Sequence, residues 1–145
     1  MPSFCPSWDR MHLVLINTPQ QMPSVATGTV LIGGGLHYTS GLSAHTVDTL
    51  FNRVEFSNMS RRVCMTLHAP GSNKHERWLA TQGTKPTEAY NEMIREKACQ
   101  NSNDFVLETF AVTQNATSID GTHYFQEPNV LLAQLLLNAL DYSNE

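Results

Sequence analysis

The sequence predicts an α/β domain: a mostly parallel sheet with helices on both faces. Three observations carry that prediction. Short apolar runs of strand length alternate with stretches whose apolar residues recur at helical spacing. The second and third of these runs end in glycine or in a His-Ala-Pro-Gly loop, as strands that feed a site often do. The composition, 145 residues with 41% apolar and 15% charged side chains, suits one globular domain that buries roughly 70% of its unfolded surface.

Residues 1–10 read as an irregular segment with Pro2 and Pro6, and residues 11–145 as the domain. His12-Leu13-Val14-Leu15-Ile16 is the first strand candidate, ended by Asn17 and Pro19. A loop punctuated by Pro19, Pro23, Ser24 and Gly28 follows. Thr29-Val30-Leu31-Ile32 is the second strand, running into Gly33-Gly34-Gly35-Leu36-His37-Tyr38. Val47, Leu50, Phe51 and Val54 then mark one face of a helix, with Ser43 placed to cap it. Arg62 to Leu67 is a third strand, closed by His68-Ala69-Pro70-Gly71. Thr87 is expected to cap a second helix whose inner face carries Tyr90, Met93, Ile94 and Ala98. Phe105 to Val112 reads as a fourth strand, rich in β-branched and aromatic residues. Pro128 fits the first turn of a last helix. The leucines of that helix (131, 132, 135, 136, 137 and 140) predict a core element with one narrow polar stripe at Gln134, Asn138 and Asp141.

Charge and composition exclude several classes. Net charge is −4 and no basic stripe is present, so nucleic acid is not an expected partner. No run approaches the ~20 apolar residues of a membrane span, and no signal peptide is visible. The six histidines show no i, i+4 pair, so no metal site is expected; no cofactor motif appears either. Cys5, Cys64 and Cys99 have no CxxC spacing. One disulfide with a free thiol, or three thiols, are both open, and Cys64 and Cys99 read as small buried hydrophobes. Two N-x-S/T sequons begin at Asn58 and Asn115.

The stretch with the most chemistry is Ser118-Ile119-Asp120-Gly121-Thr122-His123-Tyr124. An acid three residues before a His can orient one ring nitrogen and leave the other free as a base. Asp120 and His123 are therefore the candidate catalytic pair. With the Gly33 to Tyr38 and His68 to Gly71 segments, they fall beyond the carboxyl ends of the strands, where open α/β sheets hold their sites.

At these residues the chain resembles the SGNH (GDSL-like) hydrolase superfamily, and most closely its PC-esterase, sialate O-acetyltransferase-like branch. Asp120-Gly121-Thr122-His123 before a C-terminal helix is similar to that family's Asp-x-x-His block. Val30 to Gly35 followed by His37-Tyr38 resembles an earlier block, with Tyr38 where the family carries Trp. Ala89-Tyr90-Asn91-Glu92 falls where the family has a helix. The resemblance covers about residues 11 to 140. It implies a flavodoxin-like three-layer sandwich with a parallel sheet. It also implies an acyl enzyme, esterase or O-acyltransferase, acting on a small ester or glycan. His123 would be the general base and Asp120 would hold its tautomer. Backbone amides at Gly34 and Gly35, with His37, would meet the oxyanion or the substrate. A secretory or Golgi-lumen placement follows from the same resemblance, with the sequons in support.

One part of the pattern is absent. The family's nucleophile sits in a Gly-Asp-Ser block after the first strand, and no such block occurs here. Ser3, Ser7, Ser24, Ser40 and Ser43 lack the strand–Ser–helix context. The expectation is a C-terminal part of such a domain, incomplete at the N-terminus and inactive alone. The alternative is a non-catalytic α/β binding or scaffold module on the same fold.

Overall fold

The computed structural model describes residues 28–57 and 59–141. The expected strand at His12–Ile16, Cys5 and the serines at positions 3, 7 and 24 lie outside the described residues. Among the described residues, three strands form one parallel sheet in the order β1 (Thr29–Ile32), β2 (Arg61–Met65), β3 (Phe105–Leu107). The ladder pairs Ile32 with Cys64 and Cys64 with Val106. Five α-helices accompany it there: α1 (Ala44–Phe51), α2 (Leu79–Gln82), α3 (Thr84–Lys97), α4 (Thr109–Thr113) and α5 (Gln126–Asp141). The α/β class with a parallel sheet is as the alternation of patterns predicts.

Strand parity assigns the layers. Val30, Ile32, Cys64 and Val106 point to the face covered by α1 and α3, where Val47, Leu50, Phe51, Tyr90 and Ile94 complete the main core. Odd-numbered residues of β2 point to the opposite face. There Arg61 stacks its guanidinium on Phe105 at 4.8 Å and donates from Nη1 to the Ala139 carbonyl of α5 at 2.9 Å. Val63, on the same face, is fully buried. Helices thus flank the sheet on both sides.

Local chemistry sets the boundaries. Ser43 caps α1 as expected, its Oγ accepting from the Thr46 amide at 3.3 Å. The second helix starts earlier than its pattern suggests. Gly83 is the N-cap of α3, and Thr87 lies one turn inside, its amide donating to the Gly83 carbonyl at 3.1 Å. Pro86 explains the shift, because in a first turn its fixed φ favours the helix and its missing N–H costs nothing. The fourth predicted strand is also shorter than its β-branched run. It ends at Leu107, and Thr109–Thr113 turns into α4. Thr66 causes the break: its Oγ1 accepts from the Thr109 amide at 2.9 Å, while the Thr109 hydroxyl donates to the Thr66 carbonyl. These side-chain bonds replace the next rung of the ladder.

The last helix differs most from its reading as core. Leu132 is buried and Leu136 and Ala139 are partly covered, which is a single stripe at helical spacing. Val130, Leu131, Leu135 and Leu137 are exposed. Among the described residues α5 meets the rest of the fold through that one stripe, and its other leucines face outward. No helix among the described residues is long and apolar enough to cross a membrane.

Two cross-links fix the sheet to α3. Asn91, fully buried on α3, accepts from the Leu67 amide at 2.7 Å and donates to the Leu67 carbonyl at 3.1 Å. Cys64 and Cys99 form a disulfide across 35 residues with Cα atoms 6.0 Å apart, one of the states the sequence leaves open, in place of two small hydrophobic thiols. Loop closure of that length is worth about 3–4 kcal/mol through the unfolded state. Replacing both cysteines by Ala is therefore expected to lower the urea unfolding free energy by about that amount. Equal stability of the wild type with and without reductant would contradict the cross-link.

Candidate active site

The site is built by two loops that leave the same end of the sheet. One follows β2, from Thr66 to Lys74. The other runs from Thr113 at the end of α4 to Phe125 before α5. Each is fastened to the other and to the core. The Ala69 amide donates to Thr113 Oγ1 at 2.9 Å, and the Tyr124 hydroxyl donates to the Ala69 carbonyl. Asn73 Nδ2 donates to the carbonyls of Ser118 and Ile119 at 3.2 and 3.1 Å. The Gly71 amide donates to the Gly121 carbonyl at 3.1 Å.

Within the second loop, Ser118 and Tyr124 face each other as an antiparallel bridge. Between them the chain makes a tight turn. Ser118 Oγ accepts from the Gly121 amide at 2.6 Å and donates to the His123 carbonyl at 3.0 Å. Gly121 has φ +83°, a conformation that favours glycine. Asp120 Oδ1 accepts from the Thr122 amide at 2.9 Å and the His123 amide at 2.8 Å. This is the Asx-type turn chemistry of an acid beside glycine.

With Oδ1 so fixed, Asp120 Oδ2 meets His123 Nδ1 at 2.7 Å. An ionised carboxylate only accepts, so Nδ1 carries the ring proton and a neutral His123 presents Nε2 as a lone pair. No hydrogen bond within the described residues occupies Nε2. The ring is 73% exposed and the Asp120 side chain 52% exposed. The His123 amide, then its ring, then the Thr122 amide hold the Asp120 carboxyl well below the ordinary carboxylate range.

Two further side chains flank the pair, and sequence reasoning gave them no catalytic role. His68, half-buried, sets its ring edge-on to Tyr124 at 5.5 Å. Burial first, and the neighbouring His123 second, pull its imidazole pKa down, so it is neutral at pH 7. Lys74, only 9% exposed, donates from Nζ to Thr122 Oγ1 at 2.6 Å. A cavity of about 20 Å³ lies among Leu36, His68, Lys74, Gln82 and Thr122. On the other flank of the turn an open polar cleft of about 480 Å³ lies among Asn73, Gln114, Asn115, Thr117 and Ser118. Asn115 of the second sequon is exposed on it.

The structure brings Asp120 and His123 together. It places Gly34 and Gly35 beneath Tyr90, whose hydroxyl donates to the Gly34 carbonyl at 3.2 Å. A Cβ on Gly35 would lie 2.6 Å from that hydroxyl oxygen, so glycine there serves close packing. The glycine segment reaches the cavity through the next residue, Leu36. His37 stands exposed in the turn beyond it, with no hydrogen bond to the pair. Among the described residues, no serine hydrogen-bonds the His123 ring, and no cluster of three or more His, Cys, Asp or Glu gathers for a metal. Comparisons with family models, curated proteins and solved structures found no match for this chain.

The turn makes a titration prediction. The folded Asp120 value is depressed below its unfolded one. Its contribution to the turn is therefore present above the ordinary carboxylate range and lost as pH falls through the depressed value. In carboxyl-detected NMR, Asp120 is expected to stay ionised as pH falls through the ordinary carboxylate range. Nitrogen-15 spectra of the His123 ring should show the proton on Nδ1, and Asp120→Asn should abolish that preference.

Proposed function

We propose that these residues form the acid–base half of an acyl-transfer site of the SGNH type, an esterase or O-acyltransferase acting on a small ester or a glycan hydroxyl. The observation that carries the reading is the Asp120–His123 pair, with Nδ1 bound to the carboxylate and Nε2 open. In this role His123 takes the proton of a serine hydroxyl as that oxygen attacks the acyl carbon. It then returns the proton to the leaving oxygen. Water or a sugar hydroxyl, deprotonated by the same nitrogen, resolves the acyl-enzyme.

The nucleophile in this proposal is a serine outside the described residues. Ser118, nearest in sequence, has its Oγ engaged in the turn and bonded to backbone groups. The open cleft supports a glycan-sized substrate, since about 480 Å³ lies within the usual range for ligand sites and its lining is amide- and hydroxyl-rich. The Cys64–Cys99 disulfide supports an oxidising compartment such as the secretory pathway.

Burial and geometry also keep a second reading in play. The pair is highly exposed and lacks a serine partner within the described residues. A binding or scaffold module on this fold would look the same. A fluorophosphonate probe on the intact cellular polypeptide that carries these residues separates the two. Labelling of one serine, with turnover of an acetyl ester falling at least about 10³-fold in His123→Ala, is the result expected of the enzyme. No labelled serine and no turnover would leave the binding module. Labelling with turnover unchanged in His123→Ala would remove the pair from the chemistry.

A further inference from the structure

We propose that Lys74 makes the small cavity beside the Asp120–His123 pair a subsite for an oxygen anion, supplied by the reacting carboxyl group or by an acidic group on the substrate. The inference deepens the acyl-transfer reading and rests on it for the ligand's place in a reaction, though not for the binding itself.

The argument begins with the ammonium. Lys74 is 9% exposed, a degree of burial that lysine rarely shows without a partner. Among the described residues its one hydrogen-bond partner is Thr122 Oγ1 at 2.6 Å, so two of its three N–H donors have no partner there. Among the described residues no carboxylate lies within ion-pair distance of Nζ. Asp120 acts on it only through space, and its oxygens are already taken by the Thr122 amide, the His123 amide and the His123 ring. The other walls include His68, Gln82, Thr87 and Leu36, and none of the lining residues is a carboxylate. A desolvated cation without a counter-ion is costly, and an incoming anion relieves that cost.

Size and position agree. About 20 Å³ admits one oxygen-sized group. Thr122 joins the cavity to the pair, because it follows Asp120 by two residues and precedes His123 by one. The Lys74 backbone is pinned as well: its amide donates to the Gly71 carbonyl at 3.0 Å, and its Cα packs against Gly121. The ammonium is thus held in place before any ligand arrives, as an electrostatic subsite requires. Burial, the larger cause, lowers its pKa, and Asp120 opposes that only in part.

Acetate is the probe. In the nitrogen-15-labelled chain, acetate should shift the Gly121 and Thr122 amide resonances saturably, and neutral acetamide should not. Lys74→Met should weaken acetate binding about tenfold or more, the value of a lost charge-assisted bond, and Lys74→Arg should retain it. If Lys74→Met loses its dispersed spectrum, Lys74→Gln carries the same comparison. No saturable acetate shift in the wild type overturns the proposal. So does equal acetate binding in the uncharged variant, or an equal response to acetamide. None of these outcomes depends on a nucleophile, so they stand apart from serine labelling. On the intact polypeptide, a lower kcat of Lys74→Met on neutral and acidic esters alike identifies the reaction's own oxyanion. A higher KM on acidic esters alone identifies a charge on the substrate. Unchanged kcat and KM on both overturns the role.

Discussion

The backbones of two loops touch at Gly71 and Gly121, and the candidate site depends on that approach. A Cβ on Gly121 would lie 2.3 Å from Lys74 Cα, and one on Gly71 would lie 2.3 Å from Ser118 Cβ. Neither position has room for a side chain. At Gly121 the backbone angle adds a second demand, since φ +83° suits glycine. The close approach lets the Gly71 amide reach the Gly121 carbonyl. It also sets Lys74, which comes from the β2 loop, against Thr122, which comes from the turn. The Asp-Gly step therefore shapes the turn and admits its neighbour at once.

From that contact the order runs back into the core. Asn91 holds the start of the β2 loop through both polar groups of Leu67, and Thr113 and Tyr124 hold Ala69. The backbone groups of Leu67 and Ala69 thus have partners, as buried polar groups require. The exposed Asp120–His123 pair rests on this buried frame. Its carboxylate is oriented by two backbone amides before it reaches the imidazole, so the His ring inherits its direction from the turn. A base that must serve a hydroxyl from another segment needs such a fixed direction and an open Nε2.

Much of this was legible in the sequence, for physical reasons that can be named. Ser43 announces the start of α1 because only its side chain can take the Thr46 amide. Asp120 and His123 announce themselves because their spacing sets both the turn and the pair. The failures are equally specific. Thr109 has strand propensity, but its hydroxyl finds Thr66, a partner 43 residues away that no local pattern shows. The leucines of α5 read as core because periodicity counts apolar residues, not which of them meet a neighbouring element. Cys64 and Cys99 lie on separate elements, and only the packing of α3 on β2 brings them within bonding distance. Lys74 sits in a polar run like any surface lysine; its burial is a product of tertiary structure, the approach of the turn at Gly121 to its Cα.

The disulfide has a consequence for the chain's integrity. Cys64 and Cys99 flank the exposed stretch around His75, Trp78 and Leu79. A protease that nicks the chain there would leave both pieces covalently tethered. The nicked molecule would weigh one water more than the intact one and run as a single species until reduced. The two anchors that hold the β2 loop to α3, the Leu67–Asn91 pair and the sulfur bridge, would both survive the cut. Such a nicked form is a route to two separately tagged halves that keep the turn, the acid and the base in their places.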